Sequence, residues 1–245
     1  MLYIIAVILG LSLISCDNGG EYVIENGQVL WSYWTFSFGT LKDTVYGADT
    51  TTFESLSYCY GKDKNHVYRE DKMIRGASPA TFKPHNKYLG EDDKDFYWKG
   101  FAVNVSDKKS FEVLYDEEKD ASWAKDAKYG YFIFFDEFVK FPIADSKSFR
   151  PAPYPTEGFV LKSYTYAVDK YKAYYEGIEV TGADAASFKQ IDTNIAQDKN
   201  RIYYKSQPTD ITDYSKIQTI ESDSLYTDSL YIYDKNYKRV GRFGK

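Results

Sequence analysis

The chain carries only 2 cysteines and 2 histidines in 245 residues. No His-Glu-X-X-His helix and no Cys-X-X-Cys pair can be assembled from them, so a zinc site has little to build on and no metal is expected. A Gly-X-Ser-X-Gly elbow and a glycine-rich phosphate loop are also missing, which removes the two most legible routes to nucleophilic and phosphoryl chemistry; no cofactor is expected. Net charge is −5 with both signs well mixed. Without a basic patch that neutralises many phosphates, nucleic acid is excluded as a partner.

The apolar stretch Leu2 to Ser15 is too short for the roughly 20 residues of a membrane-spanning helix. It fits the apolar region of a secretory signal over residues 1–15. Its end, Leu13-Ile14-Ser15-Cys16, resembles a bacterial lipobox, which implies cleavage before Cys16 and acylation of that residue. Each buried methylene contributes about 0.8 kcal/mol, so several acyl chains anchor stably. The expected address is therefore the bacterial cell envelope, with the membrane as partner through Cys16 and residues 16–27 as a tether opened by Asp17-Asn18-Gly19-Gly20. The start Met-Leu-Tyr-Ile departs from a signal in having no Lys or Arg; the competing reading is a buried N-terminal strand. With Cys16 acylated, Cys59 is the only other cysteine, so a disulfide-stapled fold is not expected and Cys59 reads as a small buried hydrophobe.

What is abundant is aromatic side chains, 18% of the chain with 25 Tyr, and these favour strands. They recur in phrases. One phrase reads Asp49-Thr-Thr-Thr52-Phe53, Ser78-Pro-Ala-Thr81-Phe82, Asp107-Lys-Lys-Ser110-Phe111, Asp145-Ser-Lys-Ser148-Phe149, Asp184-Ala-Ala-Ser187-Phe188 and Asp210-Ile-Thr-Asp213-Tyr214. A second reads Asp63-Lys-Asn-His-Val67-Tyr68, Asp93-Lys-Asp-Phe-Tyr97-Trp98, Asp126 to Phe132, Asp169 to Tyr175, Asp198-Lys-Asn-Arg-Ile202-Tyr203-Tyr204 and Asp228 to Tyr233. A recurring step of about 29 residues signals an array of supersecondary units, each too small to bury its own core.

In each unit the Asp opens a turn by accepting from backbone N–H groups two residues on, and the aromatic and β-branched residues after it form a strand. Pairs such as Lys99-Gly100 and Glu176-Gly177 mark a hairpin turn. The acid or Ser of the first phrase has the chemistry of a helix N-cap, which would place the Phe and the following aliphatic on one face of a short helix. The unit is thus expected to be a β-hairpin plus a capped short helix, and the fold mainly β: a solenoid or meander array over 46–235. A β-propeller is the alternative, disfavoured because about 29 residues is short for a four-stranded blade of about 40–45. Residues 28–45 form a strand-rich N-terminal cap, 236–245 a closing segment, and insertions fall near 115–123 and 150–160.

These paired phrases, clearest at Asp198-Lys199-Asn200-Arg201-Ile202-Tyr203-Tyr204 and Asp63-Lys64-Asn65-His66-Val67-Tyr68, resemble the DKNYY family of bacterial proteins over roughly residues 45–235. The resemblance implies an exported or lipid-anchored protein and brings no catalytic residues with it. Arg69 stands where a second Tyr is expected, and the copy at Asp126 lacks both Lys and Asn.

The Asp-X-Asn pairs lack the further ligands of a calcium loop, so turn geometry explains them better. The run Glu91-Asp-Asp-Lys-Asp95 reads as a solvated loop rather than a cation site, and His85 as partly buried. Adjacent strand residues face opposite sides, so the pairs containing Tyr68, Trp98, Tyr174, Tyr175, Tyr203 and Tyr204 would send some rings outward, in a row suited to a glycan or extended peptide. The competing reading has the same rings covering the neighbouring unit. The expected function is a non-enzymatic envelope lipoprotein that binds or scaffolds, with a glycan or an envelope protein as partner. The alternatives are a polysaccharide-acting enzyme with carboxylates in the inserts and a purely structural spacer.

Overall fold

The structure, a computed structural model, describes residues 20–114, 121–134, 137–154, 164–221 and 225–243. It is mainly β, built of small open antiparallel sheets in which sequence neighbours pair. Contacts divide the chain into two compact units, one up to Val105 and one from Ser106.

The first unit opens with a three-stranded sheet of β1 (Glu21–Glu25), β2 (Gln28–Thr35) and β3 (Gly39–Thr44). Two four-stranded meanders follow. One is β4 (Glu54–Ser55), β5 (Tyr60–Lys62), β6 (Val67–Arg69) and β7 (Lys72–Met73). The other is β8 (Lys83–Pro84), β9 (Leu89–Glu91), β10 (Phe96–Trp98) and β11 (Phe101–Ala102).

The second unit has four such meanders. They are β12 (Glu112–Leu114), β13 (Ala121–Lys125), β14 (Tyr129–Phe134) and β15 (Glu137–Pro142); β16 (Arg150–Pro151), β17 (Tyr166–Val168), β18 (Ala173–Tyr175) and β19 (Ile178–Glu179); β20 (Lys189–Asp192), β21 (Ile195–Gln197), β22 (Ile202–Tyr204) and β23 (Gln207–Pro208); and β24 (Gln218–Glu221), β25 (Leu225–Thr227), β26 (Tyr231–Asp234) and β27 (Arg239–Arg242).

Two sequence expectations are corrected here. Among the described residues there is no α-helix: the capped phrase makes a single turn, a 3₁₀ turn at Lys108–Ser110 and at Tyr214–Lys216. The residues after its Phe are extended and form the first strand of the next sheet, so Phe and the later aliphatic do not share a helix face. Each repeat-like meander therefore has four strands rather than two. Four fit into about 29 residues because most are only two or three residues long, which removes the length argument against a four-stranded blade.

The hairpin turn between the last two strands tightens in the expected way. Lys99 and Gly100, and Glu176 and Gly177, all have positive φ, the geometry of a two-residue loop whose twist matches the strands.

The apolar core is a series of clusters between consecutive sheets of a unit. Tyr60 and Val67 of one sheet pack with Phe82 and Tyr97 of the next, and Tyr166 and Tyr175 with Phe188 and Tyr203. A small residue in each second strand makes room for the ring of the capped phrase. Gly61 lies under Phe53 and Gly90 under Phe82, where an added Cβ would meet the ring at 2.5 and 2.3 Å. Ala124, Ala167 and Ala196 hold the same register, opposite Tyr131, Tyr174 and Tyr203. The last sheet inverts the pattern. Tyr226 stands opposite Tyr233 and the phrase ends in Ile217, so the bulk has moved from the cap to the strand.

Gly90→Ala is expected to lower stability by about 1–3 kcal/mol, because the methyl displaces the Phe82 ring in a filled core. Urea unfolding of the two proteins measures this.

Candidate functional site

The recurring Asp is the most heavily bonded side chain of each meander. Asp198 is typical. Its Oδ1 accepts from the Asn200 and Arg201 amides at 2.7 and 2.8 Å, closing the turn between the second and third strands. Its Oδ2 accepts from the Asp184 amide at 2.7 Å and from the Tyr203 hydroxyl at 2.9 Å. One carboxylate thus ties together its own turn, the capped turn that precedes the sheet, and a buried ring of the third strand.

The same node recurs at Asp63 with Asp49 and Tyr68. It recurs at Asp126 with Asp107 and Tyr131, and at Asp169 with Asp145 and Tyr174. Asp228 closes its turn on Leu230 and Tyr231 and accepts from Tyr233 at 2.7 Å. In the second meander the node is Asp92, which accepts from Ser78, Lys94, Asp95 and the Tyr97 hydroxyl. Asp93, which the sequence phrase selected, stands one position late.

A second set of bonds explains the Ser/Thr before each Phe. Its hydroxyl accepts from the amide just after the node: Lys64 to Thr52, Asp93 to Thr81, Ala127 to Ser110, Lys170 to Ser148 and Lys199 to Ser187. At two of the Asp caps the Lys after the node pairs with the cap, Lys64 with Asp49 at 3.0 Å and Lys199 with Asp184 at 2.8 Å. Where the cap is Ser78, the position after the node is Asp93, which accepts from the Thr81 hydroxyl at 2.5 Å. The acid has changed places, and this exchange hid the register. The last capped turn is also displaced from the sequence phrase: its cap is Asp213, which accepts from the Ser215 amide, so the step from Asp184 is 29 residues rather than 26.

Burial works against ionisation of the node carboxylates, but their hydrogen bonds outweigh it and hold all six below the ordinary carboxylate range. Burial, followed by the bond to the carboxylate, pushes the partner phenols up, Tyr131 and Tyr233 to about 12.

The predicted row of outward rings is not present. Tyr68, Trp98, Tyr174, Tyr175 and Tyr203 are buried, and Tyr204 is half-buried. Tyr68, Tyr174 and Tyr203 face inward to the node, each with its centroid about 6 Å from the Phe of the capped turn. Tyr175 packs on Tyr166 and donates to Asn194, and Trp98 packs beside Tyr88. Both ring positions are consumed by packing because a sheet covers each face. Tyr204, with Tyr226, Lys205, Lys235 and Lys238, lines an open depression of about 700 Å³.

His85 is exposed rather than partly buried, 3.3 Å from Glu91. The acidic run is bonded rather than solvated, since Asp95 accepts from the Asn104 and Val105 amides and Asp92 is a node. Among the described residues no group of three or more His, Cys, Asp or Glu is placed to hold a metal.

Cys59 is fully buried beside Val29, Trp31 and Tyr68. Cys16 and most of both inserts lie outside the described residues. No described helix is long and apolar enough to cross a membrane.

The missed signal was spacing. An Asp five residues before a Tyr, with a small residue opposite that Tyr, locates the buried partner of every node through Asp198. Tyr97→Phe is expected to cost about 1.5–3 kcal/mol, one hydrogen bond to a charged group. Asp92→Ala is expected to cost more, about 3–5 kcal/mol, because three amides and a hydroxyl lose their acceptor together. Urea midpoints of both variants check the order.

Stability should also be flat from about pH 4 to 10. As pH falls through the low carboxylate values of the folded state, the unfolded chain binds more protons and stability is lost. As pH rises past the ordinary phenol value, the unfolded chain releases protons that the folded phenols keep, and stability is lost again. Thermal midpoints across pH 2–12 test both limbs.

The DKNYY family model matches residues 33–207 and 166–239. No curated protein and no solved structure matches the chain.

Proposed function

Since the chain belongs to the DKNYY family, a family that the match defines by sequence alone, we propose that it is a non-enzymatic cell-envelope lipoprotein, a binding or scaffold module held to the membrane through Cys16. Its repeat-like meanders would stack as a tandem array, each capped turn and node closing onto the next sheet. The observation that carries the reading is the occupancy of the nodes. The carboxylates and phenols that recur through the chain bond one another and the backbone, so the recurring chemistry maintains the array and does not face a substrate. Binding would fall to what the repeats leave at the surface, such as the depression beside Tyr204 with its two tyrosines and three lysines.

A sulfur atom carries an acyl thioether or a disulfide, never both. Intact mass spectrometry of protein purified from its native membranes is expected to show cleavage before Cys16 and an acylated N-terminus. An uncleaved chain, or one with Cys16 bonded to Cys59, would overturn the anchored reading.

A further inference from the structure

The tip of the β2–β3 hairpin carries three exposed aromatic side chains, among them Phe36, the most exposed large apolar side chain among the described residues. Phe36 is 93%, Phe38 79% and Trp34 60% exposed. Trp34 and Phe36 meet edge to face at 6.3 Å, so these two rings form a patch, with Phe38 two residues on. No charged residue occurs from Asn26 through Leu41. Strand β2 ends at Thr35 and β3 starts at Gly39, so Phe36 and Phe38 sit beyond the strand at the tip. A neutral aromatic tip of this kind is unusual on a surface that meets only water.

The register says what covers it. Glu21 pairs with Ser32, and Ser32 with Lys42. Since β1 is antiparallel to β2, the chain upstream of Glu21 leaves the sheet toward the aromatic tip. Gly20 fixes that exit, lying so close to the Trp31 ring that a Cβ would meet it at 2.1 Å. Thr35 is three positions beyond the level of Glu21, roughly 10 Å at about 3.3 Å per residue. Cys16 is five residues before Glu21, at most about 17 Å of extended chain. Five extended residues are therefore long enough for an acyl chain on Cys16 to reach the level of the Trp34–Phe38 tip.

We propose that the β2–β3 tip is a membrane-insertion loop, with Trp34, Phe36 and Phe38 seated in the interfacial layer of a lipid bilayer beside the anchor. Aromatic rings favour that layer, where an apolar body and a polar edge are both satisfied. The tip would fix the sheet against the bilayer where acyl chains alone leave a swivel. Its proximity to the membrane rests on the anchored reading above; its own readout does not.

The test uses full-length protein from native membranes, reconstituted in phosphatidylethanolamine–phosphatidylglycerol vesicles containing phospholipids brominated along the acyl chain. Trp31, Trp98 and Trp123 are buried, so lipid-dependent changes in emission report Trp34. The expected result is a blue shift and quenching by brominated lipid, lost in Trp34→Phe, with the blue shift abolished in Phe36→Ser/Phe38→Ser. Those two substitutions touch no core cluster, and an unchanged circular dichroism spectrum verifies their fold. Unquenched Trp34 in protein held by its acyl chains would overturn the insertion while leaving the anchor intact. A blue shift that follows protein concentration without bromine quenching would overturn it in favour of a second copy at the tip. If Cys16 proves unacylated, quenching of the full chain added to the same vesicles still upholds insertion, and its absence overturns it.

Discussion

A carboxylate that accepts from two amides of its own turn and one phenol, joined in every meander but the last by an amide of the preceding capped turn, is the constraint on which each meander depends. Strands of two or three residues have too little ladder to fix their own register. The node supplies what they lack, because Asp198 positions its turn, its partner strand and the cap at Asp184 through one side chain. Charge-assisted bonds of this kind are roughly twice as strong as neutral ones, and they are shielded by the Phe of the cap and the sheet beyond. The same shielding makes the node unforgiving, since a lost partner leaves a charge or a hydroxyl buried without an acceptor.

Much of this was legible in the chain. The turn role of Asp63 and Asp198, the two-residue loops at Lys99-Gly100 and Glu176-Gly177, and the mainly β architecture all followed from residue types and spacing. The cap chemistry was also read correctly, but its consequence was not. Asp107 and Asp213 each cap a single turn, because the residue at its end, Phe111 or Ile217, is extended and leads directly into the first strand of the next sheet. Helical spacing on its own contains no information about that strand. The register of the second meander was missed for a different reason: the acid normally found at the cap had moved to Asp93, producing an Asp-Lys pair one position from the true node. The outward row of tyrosines failed because alternation assumes one free face, whereas these strands are covered on both.

Exchanges within the chain show what is fixed and what is free. The acid moves from the cap, Asp49 paired with Lys64, to the position after the node, Asp93 behind the Ser78 cap, yet the amide after the node still donates to the hydroxyl before the Phe. In the last sheet the ring moves from the end of the capped turn, which is Ile217, to the strand at Tyr226, and both pack on the same cluster. Geometry is preserved while residue identity moves, as expected of a scaffold whose units are held by shape and hydrogen bonding. The features outside the pattern are the aromatic tip at Trp34–Phe38 and the lysine-lined depression at Tyr204.

The central claim rests on the ionisation of six carboxylates, and carbon-13 NMR titration of the aspartate side chains measures it directly. Asp63, Asp92, Asp126, Asp169, Asp198 and Asp228 should all stay ionised below the ordinary aspartate range, as should the cap carboxylates Asp49, Asp184 and Asp213. Node carboxyls that titrate with the ordinary surface aspartates, near pH 4, would contradict the account.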